Sequence, residues 1–156
     1  MTQGPLIRVA ELDEAETLTG LCMRSKAMWG YDAVFLDQCR ALLTLTPDYI
    51  RQHGVYVADE KGTAIGLYAL VDEGAFVDVD LFFIEPNCTR RGVGRALWKH
   101  MVVEARRYGR ERLQIISDPF AVPFYRAMGA EPVGETPNGL QPGRMLPVLE
   151  VRLPAS

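Results

Sequence analysis

The chain has 156 residues and a mass of 17.4 kDa, a length suited to roughly one domain that buries about 69% of its unfolded surface without a disulfide or metal staple. With 48% hydrophobic and 24% charged residues and a net charge of −3, it is excluded from collagen, coiled coil and intrinsic disorder. The longest uncharged run, residues 63–71, is broken by Gly66 and too short to span a bilayer, and the acidic residues within 1–14 stand where a secretory leader needs a basic region and an apolar core; a soluble, cytoplasmic protein with no membrane partner is expected.

In chain order, residues 5–9 read as a first strand. Asp13 then opens a helix, with Glu16 completing a capping box and Leu12 placed as a hydrophobic staple. Leu18, Leu21, Cys22 and Ser25 follow at helical spacing as far as Trp29-Gly30. A second helix opens at Asp32 and turns Phe35, Cys39, Leu42 and Leu43 inward, and Thr46-Pro47 reads as a cap with proline at the first helical position. Strands over 54–58, 64–71 and 75–84 are joined by Glu60-Lys61-Gly62 and Asp72-Glu73-Gly74, connections short enough to require antiparallel hairpins. From Gly92 to Tyr108, the residues Val93, Ala96, Leu97, Met101, Ala105 and Tyr108 mark one helical face, which Gly109 ends. A strand over 113–117 follows a helix, so it should run parallel to the 75–84 strand. A short helix over 120–128 and a last strand over 146–153 complete an α/β fold, a mixed sheet with helices on both sides.

Cys22, Cys39 and Cys88 lie far apart with no paired spacing, and His53 and His100 are the two histidines, so neither a disulfide framework nor a zinc cage is expected. Cys88 is read as a small buried hydrophobe, with nucleophile as the alternative. Residues 90–112 carry eight basic side chains against two acidic ones on an otherwise acidic chain. A compact polyanion suits that pattern, whereas a nucleic acid needs a broad basic face.

The chemistry concentrates in the run from Phe82 to Leu97, where a strand enters a helix. Gly92 and Gly94 let the backbone turn tightly and let a ligand reach its N–H groups. The first turn of the helix that follows offers unpaired donors and a positive dipole end, and Arg91 and Arg95 add charge. Leu97 stands where the dinucleotide fingerprint needs its third glycine, and no GxxxxGK[ST] occurs. Further on, Asp118-Pro119-Phe120-Ala121-Val122-Pro123-Phe124-Tyr125 again passes from a strand into a short helix that stops at Gly129.

Together these two segments resemble the Gcn5-related N-acetyltransferase superfamily. Gly92 and Gly94 match its Gln/Arg-x-x-Gly-x-Gly/Ala signature, and Ala121, Phe124 and Tyr125 match its later Asn-x-x-Ala-x-x-Phe-Tyr motif. Thr89 replaces the Gln or Arg and Asp118 replaces the Asn. Threonine still offers a hydroxyl and Arg90 or Arg91 a charge; Asp118 lacks an amide donor and suits a helix cap. The resemblance implies a mostly antiparallel central sheet, splayed fourth and fifth strands, one acetyltransferase domain over 1–156, and acetyl-CoA as acyl donor with no metal. It further implies that pantetheine pairs with the main chain around Phe82, Phe83 and Ile84, and that the diphosphate rests on Thr89, Arg90, Arg91, Gly92, Val93, Gly94 and Arg95, with Asp118 as a further cofactor position. Tyr125 matches the family tyrosine that hydrogen-bonds the CoA sulfur and protonates the departing thiolate.

Direct attack by an amine of pKa near 10 requires a base. Asp78 and Asp80 share a strand face with Phe82 and Ile84 by two-residue alternation; they are read as candidate bases, or else as solvent-facing acids or partners of an arginine. The acceptor, a small-molecule or peptide amine, is implied to meet Trp29, Tyr31 and Arg24 near the first helices and Arg144 in the loop before the last strand. Asp32, Asp37 and Glu73 could attract an amine. A non-catalytic acyl-CoA sensor is the alternative. Acyl-chain length and oligomeric state stay open, a homodimer included.

Overall fold

The computed structural model describes residues 4–154. Seven strands form one sheet: β1 (Leu6–Val9), β2 (Gly54–Glu60), β3 (Thr63–Asp72), β4 (Val77–Ile84), β5 (Arg112–Ile116), β6 (Glu131–Pro137) and β7 (Met145–Arg152). Their order is β1-β2-β3-β4-β5-β7-β6. The helices are α1 (Ala15–Ala27), α2 (Ala33–Leu43), α3 (Pro47–Gln52), α4 (Val93–Arg106) and α5 (Val122–Ala127). The sheet is mostly antiparallel, with β4 and β5 parallel in the register Val77 with Leu113 and Asp78 with Gln114. The α/β architecture expected from the sequence is the one observed. Two compact units divide the chain: residues up to Ala69 with Leu81–Met101, and Leu70–Asp80 with Val102 onward.

In the first unit β1 runs antiparallel to β2, Leu6 opposite Asp59 and Val9 opposite Tyr56. Leu18, Leu21, Cys22 and Ser25 are all buried along α1, as their spacing requires. Asp32 caps α2 by accepting the Phe35 N–H at 2.8 Å, and Thr46 caps α3 by accepting the Tyr49 N–H at 3.0 Å, with Pro47 in the first helical position. Along α2, Cys39 and Leu43 are buried while Leu42 is 66% exposed. That corrects the inward assignment of Leu42: Cys39 and Leu43 are one turn apart, whereas Leu42 lies a hundred degrees round the helix. Lys61 and Gly62, at φ 52° and 88°, make the tight β2–β3 turn.

The helix start near residue 13 also differs from expectation. A 3-10 turn over Leu12–Glu14 precedes α1, and the Glu11 N–H donates to the Glu14 carboxylate at 2.8 Å, so the reciprocal cap lies two residues earlier than Asp13 and Glu16. Arg8 decides between the two acid pairs. Its guanidinium forks onto Glu14 at 2.8 and 2.9 Å and reaches Asp59 on β2 at 2.9 Å. The Arg8 hydrogen bonds hold both carboxyls below their usual range, and in return the acids, Glu14 foremost, raise Arg8. Arg8→Met is expected to cost about 1 kcal/mol at pH 7. Acids whose folded pKa is lowered contribute stability above their unfolded pKa and lose it as pH falls through the folded one, so the gap between wild type and variant should close below about pH 4 in paired denaturant melts.

In the second unit β5 runs antiparallel to β7, Arg112 opposite Arg152 and Ile116 opposite Val148, and β6 pairs with the other side of β7. The sequence reading contains no strand at 131–137. Pro132, Gly134 and Pro137 discourage one, and almost every β6 side chain is exposed, so no alternation marks it. Proline is tolerated because β6 is an edge, and a bulge between Pro132 and Gly134 absorbs the irregularity. Leu70, Val77, Leu113, Ile115 and Leu149 are buried, and Arg110 forks onto Asp72 with two contacts of 2.9 Å beside the Gly74 turn.

Candidate functional site

In the first unit β4 ends in Phe82, Phe83 and Ile84, all half-buried, and Glu85 leads into a 3-10 turn over Pro86–Cys88. The Glu85 N–H donates to the Ile65 carbonyl at 2.8 Å and the Glu85 carbonyl accepts from Cys88 at 2.8 Å, which anchors this bend to β3. Arg90 follows at φ 68° and Gly92 at φ 83°. Left-handed backbone at a non-glycine residue is uncommon and costs free energy, so the turn around it is held by its surroundings. A Cβ built on Gly92 meets no atom within 4 Å, so the glycine answers a backbone requirement and its side is open. The Gly92 carbonyl accepts the Ala96 N–H at 3.0 Å as the opening bond of α4. The N–H groups of Val93, Gly94 and Arg95 precede that bond in the first turn of α4, where intrahelical acceptors run out and the positive end of the helix dipole adds to the donors. Such a loop can receive an anion of several oxygens.

The side chains around this loop are sorted by charge. Arg90 and Arg95 are exposed. Arg91 is paired with Glu60 at the end of β2, and its other terminal nitrogen lies 3.5 Å from the Cys88 sulfur. Cys88 is buried and reaches Asn87 Oδ1 at 3.1 Å, in keeping with a packed thiol. The Thr89 hydroxyl donates to the Pro86 carbonyl at 3.2 Å. Val93 is buried, and the Phe82 ring meets Trp98 of α4 edge-on at 6.2 Å. Arg24 of α1 forks onto Glu85 at 2.7 and 2.8 Å, which raises its pKa and ties α1 to the base of the same bend. Trp29 is 37% exposed, and Tyr31 lies 4.7 Å from the Phe35 ring with the Lys26 ammonium 4.9 Å above it. Sequence pattern gives Glu85 a place in the Phe82–Leu97 run and Glu60 a place beside a turn, but not their pairing with Arg24 and Arg91.

The second unit holds the remaining candidates. Asp78 is half-buried on β4, and burial first, then the charges of Asp80 and Glu73, push its carboxyl up to about 6. Asp80, two residues along the same face, is exposed. Tyr125 is buried on α5, and burial together with the charge of Asp118 drives its phenol further above its usual value. The Asp118 carboxylate accepts the Phe120 N–H at 2.9 Å and caps the 3-10 turn over Pro119–Ala121. Arg144 is exposed at the end of the β6–β7 loop, where its carbonyl accepts the Asn138 N–H at 2.9 Å. Among the described residues no cluster of three or more His, Cys, Asp or Glu could hold a metal ion, and no helix is long and apolar enough to cross a membrane.

The sequence model of the acetyltransferase (GNAT) domain matches residues 30–139, and the chain belongs to that family. The peptidyl-lysine N-acetyltransferase YiaC of Escherichia coli is 27% identical over 126 residues, covering 80% of this chain and 82% of that protein. Among solved structures, the PaiA N-acetyltransferase of Thermoplasma acidophilum in complex with coenzyme A has a TM-score of 0.79 at 15% identity, covering 96% of this chain and 99% of that one. The structure of YncA of Salmonella typhimurium with its cofactor acetyl-CoA has a TM-score of 0.71 at 20% identity, covering 99% of this chain and 96% of that one.

Proposed function

We propose that the chain acts as one acetyltransferase domain that moves an acetyl group from acetyl-CoA to a primary amine of a small molecule or peptide by direct attack. The observation that supports this most is the backbone from Thr89 to Arg95, where left-handed residues at Arg90 and Gly92 present the first N–H groups of α4 on an open side. When bound, acetyl-CoA supplies an activated thioester. Val93, Gly94 and Arg95 hold its diphosphate through their N–H groups, Arg90, Arg91 and Arg95 add charge, Thr89 borders the turn, and the main chain of Phe82, Phe83 and Ile84 pairs with the pantetheine amides. Gly92→Val places a β-branched residue at φ 83° and is expected to raise the Kd for coenzyme A about tenfold or more in calorimetry.

Asp78 takes the amine proton, directly or through a water, and Asp80 keeps its neighbour's pKa high. Tyr125, protonated across the working pH range, donates to the sulfur as the C–S bond breaks and the C–N bond forms. Trp29 and Tyr31 wall the acceptor, and Arg24 and Arg144 supply cationic contacts to it. Peptidyl lysine, the acceptor named for the bacterial relative, is the first class to try. The test is thiol release from acetyl-CoA with a panel of amines and lysine peptides, run beside coenzyme A titration. Release with at least one amine supports the proposal, and no binding of coenzyme A defeats it. A second reading, an acyl-CoA sensor without turnover, draws on the two positions that depart from the family motifs: the Thr89 hydroxyl and the Asp118 carboxylate are both engaged by their own chain. Tight coenzyme A binding with no thiol release from any amine would favour it.

A further inference from the structure

Gly66 of β3 has an ordinary negative φ, so its lack of a side chain is not demanded by backbone conformation. Space demands it instead. A Cβ at this position would lie 2.9 Å from Leu97 Cδ1, 3.1 Å from Ile84 Cδ1 and 3.2 Å from the carbonyl oxygen of Phe83. Leu97 is fully buried in the second turn of α4, just after the N–H groups that open the helix, and Phe83 and Ile84 are the last residues of β4. The Glu85 N–H is bonded to Ile65, the neighbour of Gly66, so this end of β4 is held close to β3.

We infer that Gly66 is a positioning residue for the acyl donor, a role that rests on the donor-binding reading above. Its missing Cβ lets the end of β4 and the start of α4 settle onto β3 together, and so fixes the Phe82–Ile84 main chain and the Val93–Arg95 N–H groups in one arrangement. A methyl group there makes the end of the Leu97 side chain shift and presses on the Ile84 side chain and the Phe83 carbonyl oxygen, which must give by a few tenths of an ångström. Interiors this dense shift their neighbours when overfilled. The displacement falls on the two donor-holding segments, while the acid on β4 at Asp78 and the phenol on α5 are not among the atoms touched.

The test compares wild type and Gly66→Ala by coenzyme A calorimetry, by steady-state kinetics with acetyl-CoA varied, and by thermal melting, all well below the lower melting temperature. Expected is a rise of about tenfold in both Kd for coenzyme A and KM for acetyl-CoA, with kcat at saturation within about threefold of wild type. A merely structural role would lower the melting temperature and leave Kd and KM where they are. A folded Gly66→Ala protein that binds coenzyme A within about twofold of wild type overturns the inference. Should that variant not fold, Gly66→Ala is made in a Leu97→Val background, which removes the nearest clash, and compared with Leu97→Val alone. The Phe83 carbonyl remains, so a rise in Kd of about threefold is expected, and an unchanged Kd overturns the inference. Wild type that fails to bind coenzyme A defeats the donor-binding reading itself, which this comparison therefore keeps separate from the role of Gly66.

Discussion

Asp78→Asn is expected to lower kcat/KM by about 10²- to 10⁴-fold at pH 8, the range spanned by a positioned general base. The pH profile carries the sharper signature. Below about 6, where the Asp78 carboxyl is protonated, the proposed base cannot take the proton of the bound ammonium. The logarithm of kcat/KM should climb with a slope of one and level off above that point. Asparagine removes the bend. A variant profile that keeps it would assign the titration to another group.

The same substitution should strengthen the fold at pH 8. A carboxyl whose folded pKa is raised favours the folded state fully below its unfolded pKa, and that contribution is lost as pH rises through the folded value. Two units of elevation correspond to at most about 3 kcal/mol, and partial exposure of Asp78 reduces this to about 1–2 kcal/mol. Denaturant midpoints should show Asp78→Asn more stable than wild type above pH 6 and equal to it near pH 4. Greater stability with lower activity marks a group kept for chemistry, whereas a purely structural acid would lose both.

Tyr125→Phe is the second large effect. Removal of the hydroxyl leaves the ring in its buried place on α5, so the coenzyme A Kd should stay within about threefold while kcat falls about 10²-fold or more. The elevated phenol pKa works in the same direction, because the hydroxyl remains a donor at every pH the reaction uses. Rates within twofold of wild type in single-turnover experiments would remove Tyr125 from the proton inventory.

Local patterns made much of this legible in the sequence. Caps at Asp32 and Thr46 and the turn at Lys61-Gly62 each depend on residues a few positions apart and appear as read; of the α4 stripe, Val93, Leu97, Met101 and Ala105 are buried, whereas Ala96 is half-buried and Tyr108, also half-buried, lies past the helix end at Arg106. What escaped depends on distance along the chain. Glu11 with Glu14 and Asp13 with Glu16 have the same spacing, and the choice between them falls to Arg8 on a preceding strand. Trp98, three residues before Met101 and seven before Ala105, falls on the edge of that stripe and is 5% exposed, with the Phe82 ring edge-on to it. The partners of Arg24 and Arg91 are 61 and 31 residues away, and charge pairing at that separation is a product of the fold. β6 escaped because an edge strand with three helix- and sheet-disfavouring residues has no alternation to show.

The strand order has a consequence for biosynthesis. β7 is the last described strand in sequence, yet it lies between β5 and β6. Until the ribosome has released residues up to Arg152, β5 has an open flank and β6 has nothing to pair with. Chains truncated between residues 137 and 145 should expose unpaired strand edges and draw chaperones, whereas chains that include β7 would allow this half of the sheet to close.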